Sequence, residues 1–334
     1  MKWLRILLFP LTPVYYAIAC IRNVLYDKGL LQSVRYDIPT IGIGNLSVGG
    51  TGKTPMVECL IQLLSEQYRI AVLSRGYGRT SKGFILANID SKVSQIGDEP
   101  LQIKKKFPNI IIAVDANRRR GMTQLRKLPS PPNLIILDDV LQHRAVSPAV
   151  LILLTTLNNP YFKDMVLPIG DLREPRSGAA RADLIVVTKC PEDISENKKN
   201  MFTISLNPRN YQSIWFSGIK YNDIVFNDND SMPLGEFVKS TFTLITGIAN
   251  PKPLVKFLES RGADFKHLKF PDHHSFSNEE ISRFTQLGKI LTTEKDFVRL
   301  QYHSALIQSY YLPIQTDLKN LEEFKTVIID KLNN

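Results

Sequence analysis

The chain has 334 residues, 43% of them hydrophobic and 22% charged, an ordinary globular composition that excludes wholesale disorder. Lys and Arg outnumber Asp and Glu by 42 to 32, a net charge of +10. That balance directs attention to anionic partners: nucleic acid, an anionic membrane or a phosphorylated substrate. Three widely spaced cysteines, Cys20, Cys59 and Cys190, form no CxxC, which fits a reducing compartment and excludes a disulfide frame and a cysteine zinc site.

The first element lies in MKWLRILLFPLTPVYYAIACIRNVLYDKG, apolar from Leu4 to Cys20, with Lys2, Arg5, Arg22 and Lys28 around it. Pro10 and Pro13 interrupt it and no small-x-small cleavage site is clear. It falls short of the ~20 uninterrupted apolar residues of a spanning helix. It reads as an interfacial anchor, with tyrosines and cations at the headgroups of an anionic membrane surface. A buried N-terminal helix is the plainer alternative.

Short apolar runs then alternate with helical patterns, the layout of an α/β protein with a mostly parallel sheet flanked by helices. The strands expected are Thr40–Leu46, Ile70–Tyr77, Asn109–Val114, Asn133–Asp139, Ala149–Leu154 and Asp183–Lys189, mostly continuous β-branched and leucine runs suited to burial on both faces. Helical spacing occupies TPMVECLIQLLSEQ and EPLQIKKKF. After Leu206 the pattern turns hairpin-like, then polar around Asn227–Ser231, before a second, smaller α/β series. The division expected is an apolar segment over 1–28, a nucleotide-binding core over 29–206, a linker or β-ribbon over 207–230 and a smaller α/β domain over 231–334.

Between the first strand and the first helix stands GNLSVGGTGKTP. Its core, Ser47, Val48, Gly49, Gly50, Thr51, Gly52, Lys53 and Thr54, departs from the phosphate-loop template G-x-x-x-x-G-K-[ST] only at its opening position. The glycines let backbone N–H groups face phosphate oxygens, Lys53 would reach the β- and γ-phosphates, and the Thr54 hydroxyl would bind Mg²⁺. The helix expected from about Pro55 adds its N-terminal dipole. Serine fits the opening position if its φ stays negative; a glycine-rich turn with no ligand is the bland alternative. Further on, LIILDDVLQHR ends a strand in Asp138 and Asp139, where a Walker-B carboxylate holds Mg²⁺ or its waters. Leu141 stands where a GTPase has glycine. TKCPED (Thr188–Asp193) is not the Asn-Lys-x-Asp that reads guanine, and Val48 replaces the signature lysine of partitioning ATPases. These absences favour a small-molecule kinase.

Such a kinase needs a group to orient and deprotonate its acceptor. By residue type the candidates are Asp98 and Glu99 in IGDEPL and His273 or His274 in FPDHHSF. Asp98 could equally cap a helix, and DHH could be a solvated loop. The two histidines have the wrong spacing for a closed metal cage.

GNLSVGGTGKTP, LSRGYGR, GDEPL, DDVLQH, LPIGDLREP, ADLIVVTK, GIANP, FPDHHSFS and TTEKDFVRL occur in this order, and together they resemble the tetraacyldisaccharide 4′-kinase (lipid A 4′-kinase) family. The serine-led loop is itself normal for that family. The resemblance implies ATP- and Mg²⁺-dependent phosphorylation of the 4′-hydroxyl of a tetraacyl glucosamine disaccharide 1-phosphate, yielding the bis-phosphorylated lipid A precursor at the cytoplasmic face of the inner membrane. It implies a P-loop core joined by a β-ribbon to a smaller α/β domain, with the site between them. By motif it makes Asp98 the base and His273 its partner, and Lys53 and Thr54 the phosphate and Mg²⁺ residues. Asp138, Asp139 and Gln142 belong to the metal region, while Glu99, Arg173 and Glu174 line the site, Glu174 also as a metal candidate. Arg75, Tyr77 and Arg118 are phosphate or sugar contacts, although NRRRG could also be a solvated helix face. Val140 replaces the family's usual glycine and Phe297 its usual alanine. The rival readings are a membrane-associated P-loop regulatory ATPase and a nucleic-acid binder; no nucleic-acid motif supports the second.

Overall fold

A computed structural model describes Arg5 and residues 7–300 and 309–333; residues 1–4 and 6 of the expected anchor, and 301–308 and 334 of the expected C-terminal unit, lie outside. Eight strands build the first layer in chain order: β1 Thr40–Asn45, β2 Ile70–Ser74, β3 Ile85–Leu86, β4 Ile111–Val114, β5 Leu134–Leu137, β6 Val150–Thr156, β7 Leu184–Thr188 and β8 Ser213–Tyr221. Six more follow: β9 Ile224–Phe226, β10 Ser231–Pro233, β11 Phe242–Thr246, β12 Phe265–Lys269, β13 Ile290–Thr293 and β14 Ser309–Leu312. The last, β15 Ile314–Leu318, precedes the C-terminal helix Leu321–Asn333.

The larger sheet has the order β15-β8-β7-β6-β1-β5-β2-β4-β3, parallel except at its two edges, and the smaller β10-β9-β14-β13-β11-β12. The expected strands are therefore present, most with ends trimmed by a few residues, while β6 runs on to Thr156. The sheets divide the chain differently from a single unit over 231–334. β15 pairs antiparallel with β8, Ile314 opposite Tyr221, and Phe324 and Ile328 of the last helix are buried in the first sheet's core. The chain thus leaves the larger sheet through β8 and returns beside it. Residues near the chain's end complete the fold of its beginning.

Every residue of β1, β2, β5 and β7 is buried. Ile41 and Ile43 face a core shared with the helices Lys53–Leu64 and Asp98–Lys106, while Ala71, Leu73, Ile135 and Leu137 face the other. The two glycines of TIGIGN have a steric reason. A Cβ on Gly42 would lie 2.7 Å from Val140 Cγ1, and one on Gly44 would lie 2.5 Å from Leu141 Cβ. The turn after β5 rests directly on β1, and valine at 140 fits because Gly42 yields the space. Phe297 is a packing residue, tilted against Tyr311 at 4.7 Å.

The N-terminal helix Thr12–Asp27 reverses the usual arrangement. Its inward face is polar: the Tyr15 hydroxyl donates to Arg173 O (2.7 Å), Asn23 to Glu174 (3.2 Å) and Arg22 to the Gln142 carbonyl. Its outward face carries Val14, Ile18, Ile21 and Val24, all exposed, with Leu7, Phe9 and Leu11 exposed just before it. A buried helix would show the opposite pattern. Among the described residues no helix is long and apolar enough to cross a membrane.

A buried ionic knot joins the two sheets' helices. Lys106 Nζ lies 2.6 Å from Glu58 and 3.1 Å from Glu294, and Gln102 donates to Glu58 at 2.9 Å. Burial, then repulsion from Glu58, raises the Glu294 carboxyl to about 7 against the attraction of Lys106. A carboxyl raised in the folded state favours folding fully below its ordinary value near 4.5, and that contribution is lost as pH rises through 7. Glu294→Gln should therefore flatten the fall in urea midpoint between pH 5 and 7.5 relative to wild type; parallel curves would show that Glu294 ionises normally.

Candidate active site

The phosphate loop leaves β1 at its C-terminal end, at the point of an open parallel sheet where ligands gather. The helix begins at Lys53, two residues before the expected start, with Gly52 at φ +92 as its N-cap and Gly49 at φ +102. Ser47 is not among the positive-φ residues, so serine meets the opening position without strain. The LREP segment clamps the loop: Ser47 bridges Leu172, Val48 N donates to Asp171 O (2.7 Å) and Arg173 N donates to Leu46 O (2.7 Å). Lys53 Nζ rests 3.3 Å from Asn45 Oδ1 and 3.7 Å from Asp139.

The two acids after β5 have opposite surroundings. Asp139 takes a left-handed φ of +50, tolerable for aspartate. Arg173 grips it in a fork at 2.9 and 2.7 Å. Burial opposes ionisation of Asp139, but Arg173, Lys53 and His143 outweigh it and hold the carboxyl well below its usual range. Asp138 is fully enclosed; one oxygen accepts from Ser74 Oγ at 2.9 Å and the other has no partner. Burial, then Glu99 and Asp139, push its carboxyl up to about 6. An orphaned, desolvated carboxylate oxygen is costly unless something binds it, and a divalent cation beside a phosphate loop suits it. Among the described residues no cluster of three His, Cys, Asp or Glu could hold a metal alone. Mg²⁺ needs no such cage, because phosphates and waters complete its shell.

Glu174 does not offer a free ligand. Arg181 bonds both its oxygens (2.8 and 2.7 Å), and Gln142 and Asn23 add donors at 2.8 and 3.2 Å. Through these bonds Glu174 ties the N-terminal helix to the core. Gln142 still has an unpartnered Oε1.

Asp98 opens the helix Asp98–Lys106 after Gly97, whose φ is +91 and whose missing Cβ would lie 2.8 Å from Tyr77 O. Asp98 Oδ2 meets three cationic or imidazole groups, all from the smaller sheet's side. His273 Nδ1 lies at 3.1 Å, Arg299 Nε at 3.1 Å with a second, closer Arg299 contact, and Lys295 at 3.9 Å. Burial would raise its pKa; His273, Lys295 and Arg299 together drive it far below the usual range. Lys295 Nζ donates to Glu99 (3.2 Å) and sits 3.1 Å from His273 Nε2, which suits an imidazole whose Nδ1–H faces Asp98. His273 adopts φ +59 and meets the edge of Tyr77 at 5.7 Å. His274 turns away to Glu280 at 3.0 Å. Of the two histidines, His273 alone reaches Asp98.

Arg118 is buried, not a solvated helix face. It donates to Asp115 O (2.6 Å) and Asp138 O (2.9 Å), its Nε has no partner, and burial lowers it to about 10. Arg75 is exposed but close enough to depress His143, which burial, Arg118 and Arg75 bring down to about 4. A cavity of about 740 Å³ opens here, with Arg118, Asn117 and His143 on one side and Tyr26, Leu30 and Leu31 on the other. Sequence reasoning passed over His143, Lys295, Arg299 and Asn45. The signal for the second and third was their i, i+4 spacing in EKDFVRL, which puts both cations on one helix face.

A family model described as tetraacyldisaccharide-1-P 4′-kinase matches residues 4–333. The tetraacyldisaccharide 4′-kinase of Flavobacterium johnsoniae is 46% identical over 97% of this chain and 95% of its own. That of Bacteroides thetaiotaomicron is 40% identical over 97% and 90%. A crystal structure of LpxK from Aquifex aeolicus in complex with ATP is 30% identical with a TM-score of 0.79, covering 98% of this chain and 99% of that one.

The Asp138 geometry generates a direct test. Asp138→Asn should raise the Mg²⁺ concentration for half-maximal rate by ~10-fold or more, as expected for losing an anionic contact of ~1.5–3 kcal/mol. An unchanged Mg²⁺ dependence would remove Asp138 from the metal site.

Proposed function

The chain belongs to the tetraacyldisaccharide-1-phosphate 4′-kinase family, and we propose that Asp98, Lys53 and Asp138 carry its reaction, with His273 setting Asp98. The enzyme transfers the γ-phosphoryl group of ATP to the 4′-hydroxyl of a tetraacyl glucosamine disaccharide 1-phosphate, giving the bis-phosphorylated lipid A precursor. The observation that carries the residue roles is the Asp98 cluster, where a carboxylate from the nucleotide-binding layer is held by three side chains of the smaller one.

In this reading the loop Ser47–Thr54 receives the polyphosphate on its N–H groups, and Lys53 swings from Asp139 to the β- and γ-oxygens. Asp138, with Thr54 and Gln142, would hold Mg²⁺, which when bound offsets charge on those oxygens. Asp139 keeps Arg173 in place. Phosphoryl transfer through a loose transition state asks little of a base, so positioning the nucleophile counts for more. A carboxylate held as low as Asp98 suits that demand. It accepts the hydroxyl's hydrogen bond and takes the proton late, while His273 and Lys295 fix its orientation. Glu99 lies near enough to Asp138 to raise its carboxyl, which supports bringing the two acidic sites to one reaction centre. Arg118 lines the cavity, and with the exposed Arg75 and Tyr77 it suits a sugar bearing a 1-phosphate.

The acyl chains stay in the membrane, since extracting them costs ~0.8 kcal/mol per CH₂. The outward stripe Leu11, Val14, Ile18, Ile21 and Val24 can enter the headgroup layer of the cytoplasmic face of the inner membrane, peripherally. Its foot, at Leu30 and Leu31, borders the cavity.

With [γ-³²P]ATP, Mg²⁺ and the disaccharide 1-phosphate in detergent, wild type should label the 4′ position. Asp98→Asn should cut kcat ~10²–10⁴-fold with the KM for ATP nearly unchanged. A variant at full rate would refute the Asp98 assignment. Separately, the double change Ile18→Asp and Ile21→Asp should lower binding to phosphatidylglycerol vesicles at least tenfold without altering MgATP affinity; retained vesicle binding would overturn the interfacial role of this face.

A further inference from the structure

The end of β7 carries Thr188 and Lys189, which the phosphoryl-transfer reading leaves without a task. In the sheet order β7-β6-β1, that strand end lies two strands from the start of the phosphate loop, and the residues leaving it reach over the loop. The Thr188 hydroxyl donates to Thr51 O at 2.8 Å, and Lys189 Nζ donates to Gly50 O at 2.5 Å. Lys189 adopts a left-handed φ of +58, uncommon for a long side chain, and this turn folds its stem back over the loop. Lys189 meets no carboxylate in an ion pair among the described residues; its ammonium is spent on a backbone carbonyl.

Peptide geometry gives these two bonds a consequence. In a planar trans peptide the C=O and the following N–H point in opposite directions. Drawing the carbonyls of Gly50 and Thr51 toward β7 turns the N–H groups of Thr51 and Gly52 to the opposite side. Those are amides that a phosphate loop must present inward. The loop is otherwise hard to hold: Gly49, Gly50 and Gly52 have the widest backbone freedom of any residue, and fixing each costs ~1–2 kcal/mol.

We propose that Thr188 and Lys189 are positioning residues that preset the phosphate loop for the nucleotide before it arrives, acting through the Gly50 and Thr51 carbonyls. The proposal rests on reading Ser47–Thr54 as the nucleotide loop. Because the loop is arranged in advance, the effect falls on nucleotide binding more than on the chemical step.

The full chain is tested as wild type, Lys189→Met, Lys189→Arg and Thr188→Val, by calorimetric titration with MgATP, by kinetics, and by hydrogen exchange of the nucleotide-free loop. Lys189→Met and Thr188→Val should each raise the Kd and KM for MgATP ~5–20-fold with kcat within about threefold, and speed exchange across residues 48–52. Lys189→Arg, which keeps a donor, should recover most of the affinity. Unchanged MgATP affinity in Lys189→Met and Thr188→Val would overturn the proposal. So would a loss confined to Lys189→Met with loop exchange unchanged, the mark of a lysine that touches the nucleotide directly. A wild-type chain that does not bind MgATP would instead remove the nucleotide-loop reading beneath it.

Discussion

A protein that handles a polyphosphate beside several carboxylates must keep like charges apart, and the distribution of cations around its acids is the constraint on which this structure turns. Among the described residues the buried carboxylates are Glu58, Asp98, Asp115, Asp138, Glu174, Glu294 and Asp296. Each has a cation within 4 Å except Asp138: Lys106 serves both Glu58 and Glu294, Arg299 serves Asp98 and Asp296, Arg120 serves Asp115, and Arg181 serves Glu174. Breaking such a pair strands an uncompensated buried charge, at ~3–5 kcal/mol. The one acid left without a cation is Asp138, in the turn just after β5. That imbalance is what supports the proposed cation site at Asp138.

The same constraint explains why the two sheets are joined through charge as well as apolar packing. Lys106 and Asp98 sit at opposite ends of one nine-residue helix, and both engage the short helix Glu294–Leu300 of the smaller layer. That helix presents Glu294 to one end and Lys295 with Arg299 to the other. Its polarity is matched in register to the Asp98 helix, so a shift of one against the other by a turn would break ionic contacts at both ends. The Asp98 carboxylate is thereby held to the register of the interface that completes its surroundings.

Much of this was legible in the amino-acid order. Strands buried on both faces read as unbroken β-branched runs, and the phosphate loop is a contiguous pattern whose chemistry depends on local backbone. Asp98 and His273 could be paired only through resemblance, because 175 residues separate them and no local rule predicts which strand ends meet. The four hydrogen bonds of Glu174 were equally hidden, because their donors come from Asn23, Gln142 and Arg181, brought together only by the fold. The return of β15 was hidden for a related reason. A five-residue edge strand carries the same alternation whichever sheet it joins, and the choice was made by Phe324 and Ile328 further on.

The N-terminal helix joins the outside of the molecule to its interior by hydrogen bonds to Arg173, Glu174 and the Gln142 carbonyl, residues that also brace the loop and the acid after β5. Anyone wishing to handle this enzyme free of detergent faces an asymmetry as a result. Removing the helix would strip the Asn23 donor from Glu174 and the bonds of Tyr15 and Arg22 to Arg173 and Gln142, whereas repainting its outer stripe with polar side chains leaves that scaffolding in place. Solubility, for this chain, is a matter of surface chemistry rather than of shortening.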